Sequence, residues 1–117
     1  LELVEETVWL IDALRPRWFV IENPRDKLRK LDQMASFERR TVTYCQYGEK
    51  RMKPTDLWGG FPKSLELSPP CRNGDSCHLR APRGSTTGTQ GFGTYAEKSR
   101  IPYPLADAIR IAAERDI

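Results

Sequence analysis

No apolar run in this chain of 117 residues approaches the roughly 18 consecutive residues of a membrane span, so no partner membrane is expected. A signal peptide is missing as well: LELVEETVWL has an acidic, helical pattern instead of a basic start and an apolar run. There is no initiator methionine, and the expectation is a piece that begins mid-protein. Cysteine is scarce, with three residues and no secretory signal, which points to a reducing compartment where a disulfide is not expected. No Gly-Lys-Ser/Thr closes any glycine-rich stretch, which excludes a Walker phosphate loop. There is no internal repeat.

What is present suits one domain, 1–117, long enough for a modest core and short for a complete nucleotide-handling α/β enzyme. The net charge is a mild +3, but its distribution is uneven. From Arg39 to Arg100 there are eleven Lys or Arg against five Asp or Glu, the footprint of a polyanion partner or of an ordinary basic surface.

Periodicity supplies the elements. Leu3, Val4, Thr7, Val8, Ile11 and Leu14 fall on one helical face, and Arg15-Pro16 ends the pattern. Trp18 to Ile21 then reads as a central strand covered on both faces. Arg25 to Phe37 carries Leu28, Leu31 and Met34 at helical spacing, which predicts a short basic helix. RTVTYCQY, Arg40 to Tyr47, and PTDLW, Pro54 to Trp58, read as two strands of a hairpin with a long connection. Gly59 to Tyr95 holds seven of the eight glycines and reads as loop, uncommon in a compact domain unless it binds something or is pinned. Pro104 opens a last helix with the stripe Leu105, Ala108, Ile109 and Ala112. The parts are a helix/strand/hairpin core at 1–58, a loop-rich region at 59–100 and a helix at 101–117.

Four groups of residues can carry chemistry. Glu22 and Asn23 end the first strand, where ligands bind open α/β sheets; the alternatives are that Glu22 caps the turn or pairs with a nearby arginine. An exposed turn with Lys50, Arg51 and Lys53 beside Tyr47 and Trp58 offers cations for phosphate and rings for stacking, or is a solvated hairpin tip. Cys71, Cys77 and His78, closed by Cys45, would make a four-ligand zinc set, against a bland alternative of buried free thiols. The glycine-rich stretch Pro82 to Arg100, with Arg83 and Arg100 at its ends, can wrap a phosphate backbone or be a surface loop.

Taken in order, IENP at Ile21 to Pro24, QYG at Gln46 to Gly48 with downstream Arg51 and Lys53, and RIPYPLADAI at Arg100 to Ile109 resemble the C-terminal half of a DNA cytosine-5 methyltransferase of the phage type. The resemblance covers nearly the whole chain. It implies that Glu22 hydrogen-bonds the ring nitrogen of a flipped cytosine and promotes attack on the ring, with Asn23 beside it. It implies DNA contacts by Tyr47, Arg51 and Lys53, with Arg25, Lys50, Arg83 and Arg100 the further basic residues expected to meet DNA, and S-adenosylmethionine as cofactor of the intact enzyme. It also implies an α/β fold, a partial Rossmann-like methyltransferase sheet ending in an antiparallel β-hairpin, in the cytoplasm of a bacterial or phage-infected cell.

The departures are specific. The glycine-rich cofactor loop and the Pro-Cys nucleophile of the family are not in this chain, and Cys45, Cys71 and Cys77 all follow the glutamate. The chain is therefore expected to be inactive alone. Its expected partners are DNA and a complementing N-terminal half, or a second copy in a homo-oligomer that covers the open sheet edge. The alternative is a non-catalytic nucleic-acid-binding or zinc-stabilised module.

Overall fold

The computed structural model describes residues 2–79 and 99–117. Helix α1, Glu2–Leu14, stops where Arg15 takes a positive φ of 47° ahead of Pro16, with its N–H still donating to the Ile11 carbonyl. Strand β1, Phe19–Pro24, strand β2, Glu38–Thr43, and strand β3, Pro54–Gly60, form one antiparallel sheet in the order β1-β3-β2. Helix α2, Tyr103–Arg115, closes the fold, with Pro104 in its first turn, where the missing N–H costs no hydrogen bond. The composition is α/β, with the last helix in the expected place; the hairpin forms, but its first strand is Glu38–Thr43, and Tyr44–Tyr47, expected to continue it, is a 3-10 turn.

The strand order departs from the sequence reading. The apolar run at Trp18 to Ile21 lies on an edge strand whose residues are all half-buried, whereas PTDLW, extended to Gly60, is the fully covered centre. β3 pairs on both sides, Glu22 opposite Leu57 on one edge and Arg40 opposite Leu57 on the other. Hydrophobicity reports burial without reporting which strand is shared. The two glycines that end β3 allow that sharing: a Cβ on Gly59 would collide with the Phe19 carbonyl of β1.

Side chains alternate across a strand, so the sheet has two distinct faces. One carries Val20, Glu22, Leu57 and Val42, and the hydrophobic core forms there from Leu57, Val42, Tyr44, Phe61, Leu65, Leu105 and Ala112. The other carries Asn23, Thr41 and Asp56. Arg25 to Phe37 is not the short basic helix its periodicity predicts: it makes two 3-10 turns, Lys27–Lys30 and Asp32–Met34, with Met34 buried. The first turn delivers Arg29, whose guanidinium grips both oxygens of Asp56 at 2.9 and 2.7 Å while Thr41 donates to Oδ1 at 2.8 Å.

α1 buries none of its residues in the chain; Leu3, Trp9 and Leu14 are 75%, 66% and 73% exposed. The free edge of β1 has no strand beside it among the described residues. Among those residues no helix is long and apolar enough to cross a membrane.

The Arg29–Asp56 pair yields the first test. Burial pushes Asp56 up, but the hydrogen bonds from Arg29 and Thr41 outweigh it and hold the carboxyl below its ordinary value. A depressed pKa stabilises the fold above the unfolded value of about 3.9, and that contribution is lost as pH falls through the folded value. Arg29→Met leaves a buried carboxylate without its cation and is expected to cost about 3 kcal/mol in urea unfolding at pH 7. The deficit relative to wild type should shrink at pH 3; an equal deficit at both values would show that the pair is not what stabilises this face.

Candidate functional site

Glu22 lies in the second half of β1 on the core face, half-buried. The partner that the fold brings to it is a tyrosine, not an arginine or a turn N–H. The Tyr44 hydroxyl donates to Glu22 Oε2 at 3.0 Å, and Oε1 makes no hydrogen bond among the described residues. Tyr44 itself is fully buried. Burial, then the negative charge of Glu22, pushes its phenol well above the ordinary tyrosine range, so it stays a neutral donor. Sequence reading missed Tyr44 because it sits in an apolar strand pattern; its signal was the polar handle of a tyrosine in a core position.

Asn23 faces the opposite side of the sheet from Glu22. Both nevertheless border an open cleft of about 350 Å³ between β1 and α1, whose other walls include Leu3, Val4 and Thr7. A half-buried carboxyl at the rim of a cleft can share a proton with a ligand that enters it.

The cationic turn is not the exposed feature that the spacing suggested. Lys50 is exposed, but Arg51 and Lys53 are buried at 8% and 6% exposure, and Trp58 is buried at 3%. Residues past Ser68 fold back beside Arg51, where Leu79 N–H donates to the Lys50 carbonyl at 2.7 Å in a short parallel bridge, and Trp58 belongs to the central strand β3. Arg51 donates to Glu49 at 3.2 Å, and the Lys53 ammonium lies 5.1 Å from the centre of the Tyr44 ring. Burial lowers the Lys53 pKa, and the charge of Glu22 opposes that shift. Tyr47 is half-buried, its hydroxyl accepting from the Ser68 N–H at 2.9 Å. Arg25 and Arg100 are exposed, and the Arg25 N–H extends the β1–β3 pairing to the Pro54 carbonyl. Arg83 lies outside the described residues.

The third group is brought together completely. Cys45 follows β2 in the 3-10 turn Tyr44–Tyr47, while Cys71, Cys77 and His78 arrive on the loop. Cys45 Sγ is 3.1 Å from Cys71 Sγ and 3.5 Å from Cys77 Sγ; His78 Nδ1 is 3.5 Å from Cys71 Sγ and 3.4 Å from Cys77 Sγ. All four ligand atoms lie within 4.8 Å of one another, so this Cys3His cluster can hold a metal ion. No family model, curated protein or solved structure matches the chain.

The cluster is supported from outside by groups that the sequence reading did not single out. Thr43 Oγ1 accepts from the Cys71 N–H at 3.0 Å, and the Gln46 amide donates to Cys77 Sγ at 3.4 Å. Burial, then the neighbouring Cys71 thiol, pushes Cys45 up to about 12. Burial also acts to raise Cys71, but hydrogen bonding by Thr43, Cys45 and Cys77 outweighs it and lowers that thiol. Thiols packed at these distances are three free cysteines with no disulfide among them.

Cobalt tests the cluster directly. Titrating Co²⁺ into the reduced protein is expected to give one equivalent of a tetrahedral, thiolate-ligated spectrum, with the sulfur-to-metal band weakened by about a third in Cys71→Ser, which keeps two of the three thiolates. A spectrum of hexa-aquo cobalt throughout would exclude a metal centre here.

Proposed function

We propose that the chain is the C-terminal portion of a DNA cytosine-5 methyltransferase-like enzyme, with Glu22 as the carboxyl that engages the ring nitrogen of a flipped cytosine. The observation that carries this reading is the setting of Glu22. One carboxyl oxygen is held by a neutral tyrosine and the other has no hydrogen bond among the described residues, at the rim of a cleft. A carboxyl fixed in this way can deliver a proton to a ring nitrogen while a thiolate adds to the ring, and later take one back.

The rest of the reaction falls to a complementing polypeptide. S-adenosylmethionine would supply the methyl group, and the family's glycine-rich loop for it is not in this sequence. The three strands are read as the antiparallel end of a Rossmann-like sheet, with the complementing half adding strands at the free edge of β1 and covering Leu3, Trp9 and Leu14 of α1. Lys50, Arg25 and Arg100 are the exposed cations proposed to meet DNA phosphates, and Arg83 is proposed with them from sequence alone. Tyr47, Arg51 and Lys53 support the turn from within rather than lining its surface.

The ion at the Cys3His cluster is proposed to be zinc in a structural role. Tetrahedral zinc with bonds of about 2.3 Å to sulfur and 2.0 Å to nitrogen separates its ligands by roughly 3.5–3.8 Å; three of the separations found are 3.4–3.5 Å, and Cys45 and Cys71, at 3.1 Å, would part slightly to admit the ion. Complete occupation of all four positions by protein ligands leaves no open site for catalysis. The same cluster favours a second reading, a zinc-stabilised nucleic-acid-binding module without chemistry.

Complementation separates the two. Mixed with a family N-terminal half that supplies nucleophile and cofactor site, the chain is expected to transfer methyl groups to cytosine, and Glu22→Gln to slow transfer by about 10²-fold or more. DNA binding that persists without any methyl transfer, where an intact relative works, would leave the module reading. In either case Lys50→Ala should weaken DNA binding evenly across sequences and flatten its salt dependence by about one unit of slope.

A further inference from the structure

The metal cluster and the Glu22 pocket meet in one turn. Tyr44–Tyr47 sends four consecutive side chains to four anchors: Tyr44 to Glu22, Cys45 to the thiol cluster, Gln46 to Cys77 and Tyr47 to the Ser68 N–H. Cys45 is the one ligand of the set that the sheet side supplies; the other three come from the loop at 71–78. A single peptide unit therefore separates the ligand from the residue that holds the carboxyl.

We infer that Tyr44 is a positioning residue for Glu22 and that metal bound by the Cys3His cluster sets its position through Cys45. The inference rests on the metal reading above. The backbone around Tyr44 is held on one side by the connection between β2 and β3, where its N–H donates to the Met52 carbonyl at 2.8 Å and its carbonyl accepts from the Glu49 N–H at 3.2 Å. On the other side the restraint is the cluster itself. Among the described residues, the hydrogen bonds that tie the segment around Cys71, Cys77 and His78 to the hairpin besides these ligands are Ser68 N–H to Tyr47 Oη, Cys71 N–H to Thr43 Oγ1, Leu79 N–H to the Lys50 carbonyl, and Gln46 to Cys77. Four coordinate bonds would therefore be the strongest restraint on where Cys45 lies, and a displacement of Cys45 is transmitted to Tyr44 with no flexible linker to absorb it. Because Tyr44 is enclosed by Val42, Leu57 and Leu105 in the core, its ring cannot swing independently of its backbone.

The test reads Glu22 rather than activity. Carboxyl ¹³C resonances of glutamate-labelled protein, with Glu22 assigned by Glu22→Gln, are recorded with zinc, after exchange to cadmium and after chelation. Cadmium makes longer bonds to sulfur and keeps the chain folded while altering the ligand geometry. Exchange is expected to shift the Glu22 resonance in wild type and to leave it unmoved in Tyr44→Phe, which retains the ring but not the hydroxyl. Chelation should move the wild-type resonance toward its position in zinc-loaded Tyr44→Phe; if chelation unfolds the chain, the cadmium comparison decides. An equal shift in Tyr44→Phe, or none in wild type, overturns the coupling while leaving zinc binding intact. Failure to bind one equivalent of either metal overturns the metal reading and this inference together.

Discussion

The constraint on which the molecule depends is that β3 gives hydrogen bonds from both edges and is covered on both faces. A carboxylate in a strand so enclosed needs a partner, and the strand contains Asp56 at 1% exposure. The answer comes from Arg29, 27 positions earlier, and that requirement fixes how the segment after β1 returns across the sheet. On the opposite face Leu57 supplies the apolar contact on which Tyr44, Val42 and α2 assemble. The carboxyl on β1 and the ligand after β2 are thus positioned by the strand that lies between their strands.

How much of this could be read from the chain follows from how local each cause is. The boundaries of α1 and α2 depend on periodicity and on Pro16 and Pro104, all visible within a few residues. The hairpin was visible for the same reason, although Tyr44–Tyr47 leaves the strand as a turn where alternation alone would continue it. Strand order was not legible, because an apolar run such as Phe19 to Ile21 has the same composition on an edge as in a centre. Nor was the burial of Arg51, which pairs with Leu79 from far along the sequence, or that of Lys53, whose ammonium lies over the Tyr44 ring. The Cys3His set was suggested by residue type, but its closure needed Cys45 and Cys71, 26 positions apart, to meet.

The loop after β3 shows why a metal suits this chain. Phe61, Pro62 and Leu65 are buried, but from Glu66 to Leu79 no residue is, so the hydrophobic effect offers little to offset the entropy of ordering that stretch. Glycine and proline turns limit the number of conformations without selecting one. A metal held by four side chains, three on the loop and one on the hairpin, would select one. The same loop then covers the hairpin turn and removes Arg51 from solvent, which links the proposed metal site to the exposure of the cations beside it.

A half-buried carboxyl held by a buried tyrosine has a consequence for how such a site can evolve. Tyr44 contributes both to the core and to Glu22, so losing its hydroxyl and losing its ring are separable events with different costs. Phenylalanine at 44 would preserve packing against Leu57 and Leu105 and remove only the hydrogen bond. A chain kept solely for its zinc-stabilised fold would therefore tolerate that exchange, whereas one kept for proton transfer at Glu22 would not. The polar tip of one core side chain is where the two functional readings of this protein make different physical demands.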